Sequence, residues 1–114
     1  MLKEVCNYDG LIAGEVYEIE NIPVAQSQTI KRGDLLESKV TEGTAETEFT
    51  KASDVAKVGN IYRISADDVD TTDGAGTVTA YGAGYYNASK VTMSGDKQVN
   101  KMALRASGII LKHC

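Results

Sequence analysis

Thr77-Val78-Thr79-Ala80-Tyr81, set between Gly74-Ala75-Gly76 and Gly82-Ala83-Gly84, is a strongly strand-forming run that glycines punctuate on both sides. β-Branched and aromatic side chains fit a pleated, half-buried surface, and glycine clusters mark where such a run turns or packs closely. Upstream, Ile61-Tyr62-Arg63-Ile64 is a second short β-type run, separated from the first by the acidic, turn-rich Asp67–Gly76 segment. Further back, in Val16-Tyr17-Glu18-Ile19-Glu20-Asn21-Ile22, Tyr17 and Ile19 share one face and Glu18 and Glu20 the other, the pattern of a half-buried strand. Pro23, the chain's one proline, confines that strand to a sheet edge or ends it. Thr29-Ile30 leads into Lys31-Arg32-Gly33-Asp34, where Gly33 supplies the positive φ of a turn before Leu35-Leu36.

Residues 41–56 are polar and read as a long loop, or as a weak strand followed by a helical turn capped by Ser53 or Asp54. Downstream of Tyr85-Tyr86, Asp96 is placed to cap a helix running to about Ser107. Its apolar face is read as Val99, Met102, Ala103 and Ala106, with Gly108 as the C-terminal stop and Ile109-Ile110-Leu111 as a closing strand. Residues 1–14 hold scattered apolar side chains (Leu2, Val5, Leu11 and Ile12) broken by Asp9-Gly10 and Gly14, and read as an extended arm. A chain of 114 residues suits one domain, burying about two-thirds of its unfolded surface. The expected fold is mainly β with one or two short helices: an N-terminal arm over 1–14 and a single compact β-rich domain over 15–114, without internal repeats.

Composition excludes several classes of function. Sixteen acidic against twelve basic residues give a net charge of -4, and Lys31-Arg32 is the one tight basic pair, so no nucleic-acid partner is expected. No apolar stretch approaches the ~20 residues of a membrane span, and the first residues lack the apolar run of a signal peptide. Cys6 and Cys114 are fewer than the four or so cysteines of a secreted scaffold; free thiols in a reducing cytosol are expected, with a terminus-to-terminus bridge as the alternative. Neither cysteine forms a metal-ligand spacing with His113.

The Asp67–Gly74 stretch superficially resembles a calcium loop. Counted from Asp68, however, the fifth and twelfth positions are Thr72 and Thr79, and counted from Asp70 the glycine position holds Ala75. The glycine clusters lack the third glycine of a dinucleotide fingerprint, since Thr79 and Asn87 stand there. Arg32-Gly33-Asp34 and Asn87-Ala88-Ser89 match an adhesion tripeptide and a glycosylation sequon, both idle in a chain without an export signal. His113, the single histidine, lies next to the chain end, where a rigid catalytic constellation is hard to hold. No enzymatic activity, cofactor or metal is therefore expected. Six tyrosines against one phenylalanine and no tryptophan suit half-buried strands and interfaces. Tyr17, Tyr62 and Tyr81 are read as sheet packing; Tyr85 or Tyr86, beside glycines, is read as facing a partner.

Four segments, in order, give the chain a family likeness: Ile30-Lys31-Arg32-Gly33-Asp34-Leu35-Leu36, Ile64-Ser65-Ala66-Asp67-Asp68-Val69-Asp70, Ala80-Tyr81-Gly82-Ala83-Gly84-Tyr85-Tyr86-Asn87, and Ala103-Leu104-Arg105-Ala106-Ser107-Gly108-Ile109. The chain resembles the head decoration proteins of tailed bacteriophages, the lambda-type family that binds the outside of the capsid. The resemblance runs from Glu15 onward; the polar 41–56 stretch and the two cysteines do not map onto it. It implies a small β-rich body that clusters as homotrimers on the major capsid protein, with an N-terminal arm that orders on the shell. It implies a protein made in the host bacterial cytoplasm and carried on the outer surface of the virion, clamping neighbouring capsid subunits after head expansion. A head-fibre base or tail module is the alternative within the virion, and a small ligand-binding β-barrel the alternative outside it.

Overall fold

The computed structural model describes residues 11–53 and 56–112. Along the chain the strands are β1 (Ile12–Val16), β2 (Ile19–Val24), β3 (Thr29–Ile30), β4 (Leu35–Ser38), β5 (Val40–Thr41), β6 (Thr44–Ala45), β7 (Thr50–Lys51), β8 (Ile61–Ser65), β9 (Val69–Asp70), β10 (Gly76–Tyr81), β11 (Gly84–Asn87) and β12 (Ile109–Lys112). One helix, α1 (Lys97–Leu104), continues as a 3₁₀ turn over Arg105–Ser107 before β12. The fold is mainly β, as the sequence implies.

A five-stranded sheet in the order β2-β10-β8-β4-β7 divides the body, with the Thr77–Tyr81 run inside it as β10. Leu35 and Leu36, adjacent on β4, point to opposite faces of this sheet and are both 0% exposed, which is why an unbroken apolar pair stands there. On one face Leu35, Tyr62 and Ile64 pack against Leu11, Tyr86, Leu104, Ile109 and Leu111. Leu11 immediately precedes β1, and the others belong to the three-stranded sheet β1-β11-β12 and the helix that feeds it. On the other face Leu36, Ile22, Val24, Val78 and Ala80 form a second cluster with Phe49 and with Ile30 of the β3-β9 ribbon.

β11 and β12 pair in parallel, Gly84 opposite Ile109 and Asn87 opposite Lys112, so the chain between them must cross over. The helix signals identified in the sequence build that crossover. Asp96 accepts from the Gln98 and Val99 amides, and Gly108 closes the 3₁₀ turn in the left-handed region at φ 78°. The buried side of α1, though, is Asn100, Ala103 and Leu104, while Val99 and Met102 stand 50% and 66% exposed. The expected apolar face is thus rotated away from the core: Leu104 and the bonded Asn100 outcompete the Val99–Met102 stripe.

Two other expectations change. The Val16–Ile22 stretch is not one strand; the chain turns at Tyr17-Glu18 and passes from the three-stranded to the five-stranded sheet. Glu18 holds the corner, its carbonyl accepting from Gly82 at 2.9 Å and its carboxylate from the Ala83 amide at 3.0 Å. In β2 the residues that bury are Ile22 and Val24, opposite Val78 and Gly76, so Tyr17 and Ile19 are each left 63% exposed. The 41–56 region contains the β5-β6 hairpin, whose Glu42 and Gly43 both take positive φ (53° and 80°), followed by β7. Asp54 lies outside the described residues. Pro23 stands on β2 at a sheet edge and Gly33 takes φ 95° in the turn before β4, both as expected.

Candidate interaction surface

The N-terminal boundary drawn at residue 14 falls inside the body. Leu11 is 2% exposed in the first core cluster and its carbonyl accepts from Asn87 at 2.8 Å. Ile12 opens β1 opposite Tyr86 and packs partly buried against the same cluster. Apolar side chains with cross-strand partners in their own sheet are core, so Leu11 and Ile12 are withdrawn from the candidate capsid-binding arm. Leu2 and Val5 lie outside the described residues.

Tyr85 and Tyr86 separate as neighbours on a strand must, one to each face. Tyr86 is 0% exposed and its hydroxyl donates to the Gly82 carbonyl at 2.7 Å; burial, chiefly, pushes its phenol above the ordinary range. It is withdrawn as a partner-facing residue. Tyr86→Phe should cost about 1–2 kcal/mol by leaving a buried carbonyl unpaired, whereas Tyr85→Phe should leave the urea midpoint unchanged.

Tyr85 lies half-buried on the outer face of the three-stranded sheet. The β1–β11 register slips between Ile12↔Tyr86 and Val16↔Gly84, a bulge that sets Gly14 under the Tyr85 ring. A Cβ at Gly14 would stand 2.9 Å from the Tyr85 Cβ, so the ring's seat depends on glycine there. Tyr17 meets Tyr85 edge-on, ring centroids 6.4 Å apart at 63°, and the Lys112 ammonium sits 5.3 Å from the Tyr85 centroid. A hydrogen bond to Glu15 holds the Tyr17 phenol above its ordinary range. Tyr17 and Tyr85 make this corner an aromatic surface with Glu15 bonded to Tyr17; the exposed Ile19 begins β2 two residues further on. The sequence placed Tyr17 in sheet packing, which the corner overturns.

The other motifs are structural. Asp34 of the adhesion-type tripeptide is 3% exposed; its carboxylate accepts from the Lys31 amide at 2.9 Å and pairs with Lys51 at 3.4 Å. Arg32 donates to Tyr81 and to the Ala66 carbonyl, both at 2.9 Å. Asn87 of the sequon is 6% exposed, its side-chain oxygen accepting from the Ser89 amide and hydroxyl. Asp70 spends its carboxylate on Thr72, whose hydroxyl and amide hold it below the usual range. An open depression of about 200 Å3 between β3 and β9, lined by Ile30, Lys31, Asp68 and Val69 among others, is smaller than the ~300–1,000 Å3 of enclosed ligand sites. No group of three or more His, Cys, Asp or Glu among the described residues is arranged to hold a metal, and no helix among them is long and apolar enough to cross a membrane. Comparison of the chain with protein-family models, curated proteins and solved structures finds no match.

Proposed function

We propose that this protein is a capsid decoration protein of a tailed bacteriophage, binding the outer surface of the expanded head and clamping neighbouring copies of the major capsid protein. The observation that carries the reading is the order of the four family-like segments. Every one of them falls on a structural joint of the body: the turn into β4, the β8–β9 connection, the β10–β11 corner, and the helix stop before β12. Segments that build joints set the shape of the body, so their shared order supports a shared shape.

The surface supports a binding role in its own right. Tyr17 and Ile19 at 63%, Met102 at 66% and Val58 at 73% exposure are large apolar side chains left in water, while no buried side-chain polar atom among the described residues lacks a partner. Homotrimers on the shell, and a capsid-binding role for Leu2 and Val5, belong to the same proposal.

A clamp raises the mechanical stability of what it holds. Adding the protein to expanded, undecorated heads of its own phage should raise the temperature at which they rupture, saturating at a fixed copy number per capsid subunit. An unchanged rupture temperature at saturating protein would overturn the clamp.

A further inference from the structure

β2 ends the five-stranded sheet, so only one of its sides is paired within it. Gly82 donates to the Glu18 carbonyl, and the ladder continues through the pairs Ala80–Glu20, Val78–Ile22 and Gly76–Val24. Antiparallel ladders alternate bonded and non-bonded pairs, so the even-numbered residues of β2 turn their amides and carbonyls toward β10 and the odd-numbered ones turn theirs outward. Phe49 fixes this parity independently: its amide donates to the Pro23 carbonyl at 2.8 Å and its carbonyl accepts from Ala25 at 3.0 Å. Phe49 thus lies in the outer lane beside Val24, running parallel to β2. Beside Ile19 and Asn21 the same lane has no occupant among the described residues. The amides and carbonyls of both residues point outward and have no hydrogen-bond partner among the described residues, and both residues are exposed.

We propose that the Ile19–Asn21 edge of β2 receives an extended segment of another protein by strand addition, a segment that sets a lysine or arginine beside an apolar residue. Strand addition satisfies outward groups of this kind with main-chain hydrogen bonds, and alternate side chains supply selectivity. The apolar side chain packs on Tyr17 and Ile19, each 63% exposed at this corner. The cation answers Glu15 and Glu18, exposed carboxylates whose bonds are to the neutral Tyr17 hydroxyl and Ala83 amide and which form no ion pair among the described residues, whereas Glu20 is held by Arg63 at 2.8 Å. A second copy of the same edge is the poorer occupant. Antiparallel self-pairing would bring Glu18 and Glu20 of one copy against those of the other, and like charges across a strand pair repel. Pro23 and Phe49 cap the lane at one end, so the receiving site is short and its register is limited. The edge stands apart from the decoration reading, which concerns the whole body and its shell.

The test uses the full chain and the peptide acetyl-Lys-Val-Lys-Val-Lys-amide, followed by amide hydrogen exchange in NMR spectra. Binding is expected to saturate and to slow exchange at the Ile19 and Asn21 amides, leaving those of Glu20 and Ile22, already in the ladder, unchanged. Replacing the peptide lysines by glutamates should weaken binding about tenfold or more. Asn21→Pro removes one outward donor and leaves the main-chain β2–β10 ladder in place, although it loses the bond from the Thr79 hydroxyl to the Asn21 side chain; it should weaken the lysine peptide by about the same factor. Should that variant not fold, Ile19→Ser, which changes only an exposed side chain, carries the test with the same direction of effect. Unslowed exchange at Ile19 and Asn21, equal binding of the glutamate peptide, or undiminished binding by the variant overturns the proposal. Slowed exchange at these amides in the protein alone, rising with its concentration, also overturns it by assigning the edge to a second copy.

Discussion

Removing residues 1–14 should unfold this protein, while removing residues 1–10 should leave it folded. The longer deletion takes away Leu11, 2% exposed in the first core cluster, Ala13, 1% exposed, and three of the five residues of β1, together with the hydrogen bond from the Asn87 amide to the Leu11 carbonyl. Leu11→Ala alone should cost about 2–5 kcal/mol, since buried leucine truncation combines lost transfer energy with a cavity. Against a typical total of about 5–15 kcal/mol, adding the loss of most of an edge strand leaves little margin. Urea denaturation of the two truncations and of the point variant checks this. A 1–14 deletion as stable as the full chain would mean that β1 adds nothing to the body.

Asn100 should be the most costly polar residue to change. It is 0% exposed, and its side chain does three jobs. The oxygen accepts from the Ala56 amide at 2.7 Å, and the nitrogen donates to the Ser94 and Asp96 carbonyls at 2.7 and 2.9 Å. One side chain thereby ties the helix, the loop before it and the segment leading to β8. Asn100→Leu keeps the branched shape but strands backbone groups in the interior, at about 1–3 kcal/mol for each group left without a partner. A loss of roughly 3 kcal/mol, or a fall in melting temperature of about 10 °C or more, is expected. Asn100→Asp retains the acceptor but places a carboxylate beside two carbonyls with no donor to offer them. Burial raises the folded-state pKa of such an acid, so the folded state holds its proton more tightly than the unfolded one and stability falls as pH rises. That variant should be less stable near about pH 7 than near about pH 4, relative to the parent at each pH. Leucine tolerated without loss would show that the three bonds contribute nothing net.

Much of the body is legible from the sequence where local pattern and tertiary demand agree. Thr77–Tyr81 and Ile61–Ile64 are strands in isolation and in the sheet, and Asp96 and Gly108 bound the helical segment because capping chemistry is local. The failures lie where two faces compete for similar residues. Val16, Tyr17, Ile19 and Ile22 are all apolar, and only the register with β10, Ile22 opposite Val78, decides which of them go inside. Tyr85-Tyr86 must split between two faces, but which ring is buried depends on the Gly14 bulge in a strand distant in sequence. Asn100 carries no apolar signal at all; its importance comes from the amide of Ala56, 44 residues away. Leu11 read as part of an arm because Asp9-Gly10 and Gly14 on either side suggest a broken chain, whereas Gly14 is there to seat Tyr85.

For the proposed function, co-sedimentation with expanded, undecorated heads of the same phage is the most direct measurement, comparing the full chain with the chain lacking residues 1–10. The decoration reading predicts saturable binding by the full chain, and weaker binding by a truncated chain whose fold is intact. A folded full chain that stays in the supernatant at every concentration would contradict it.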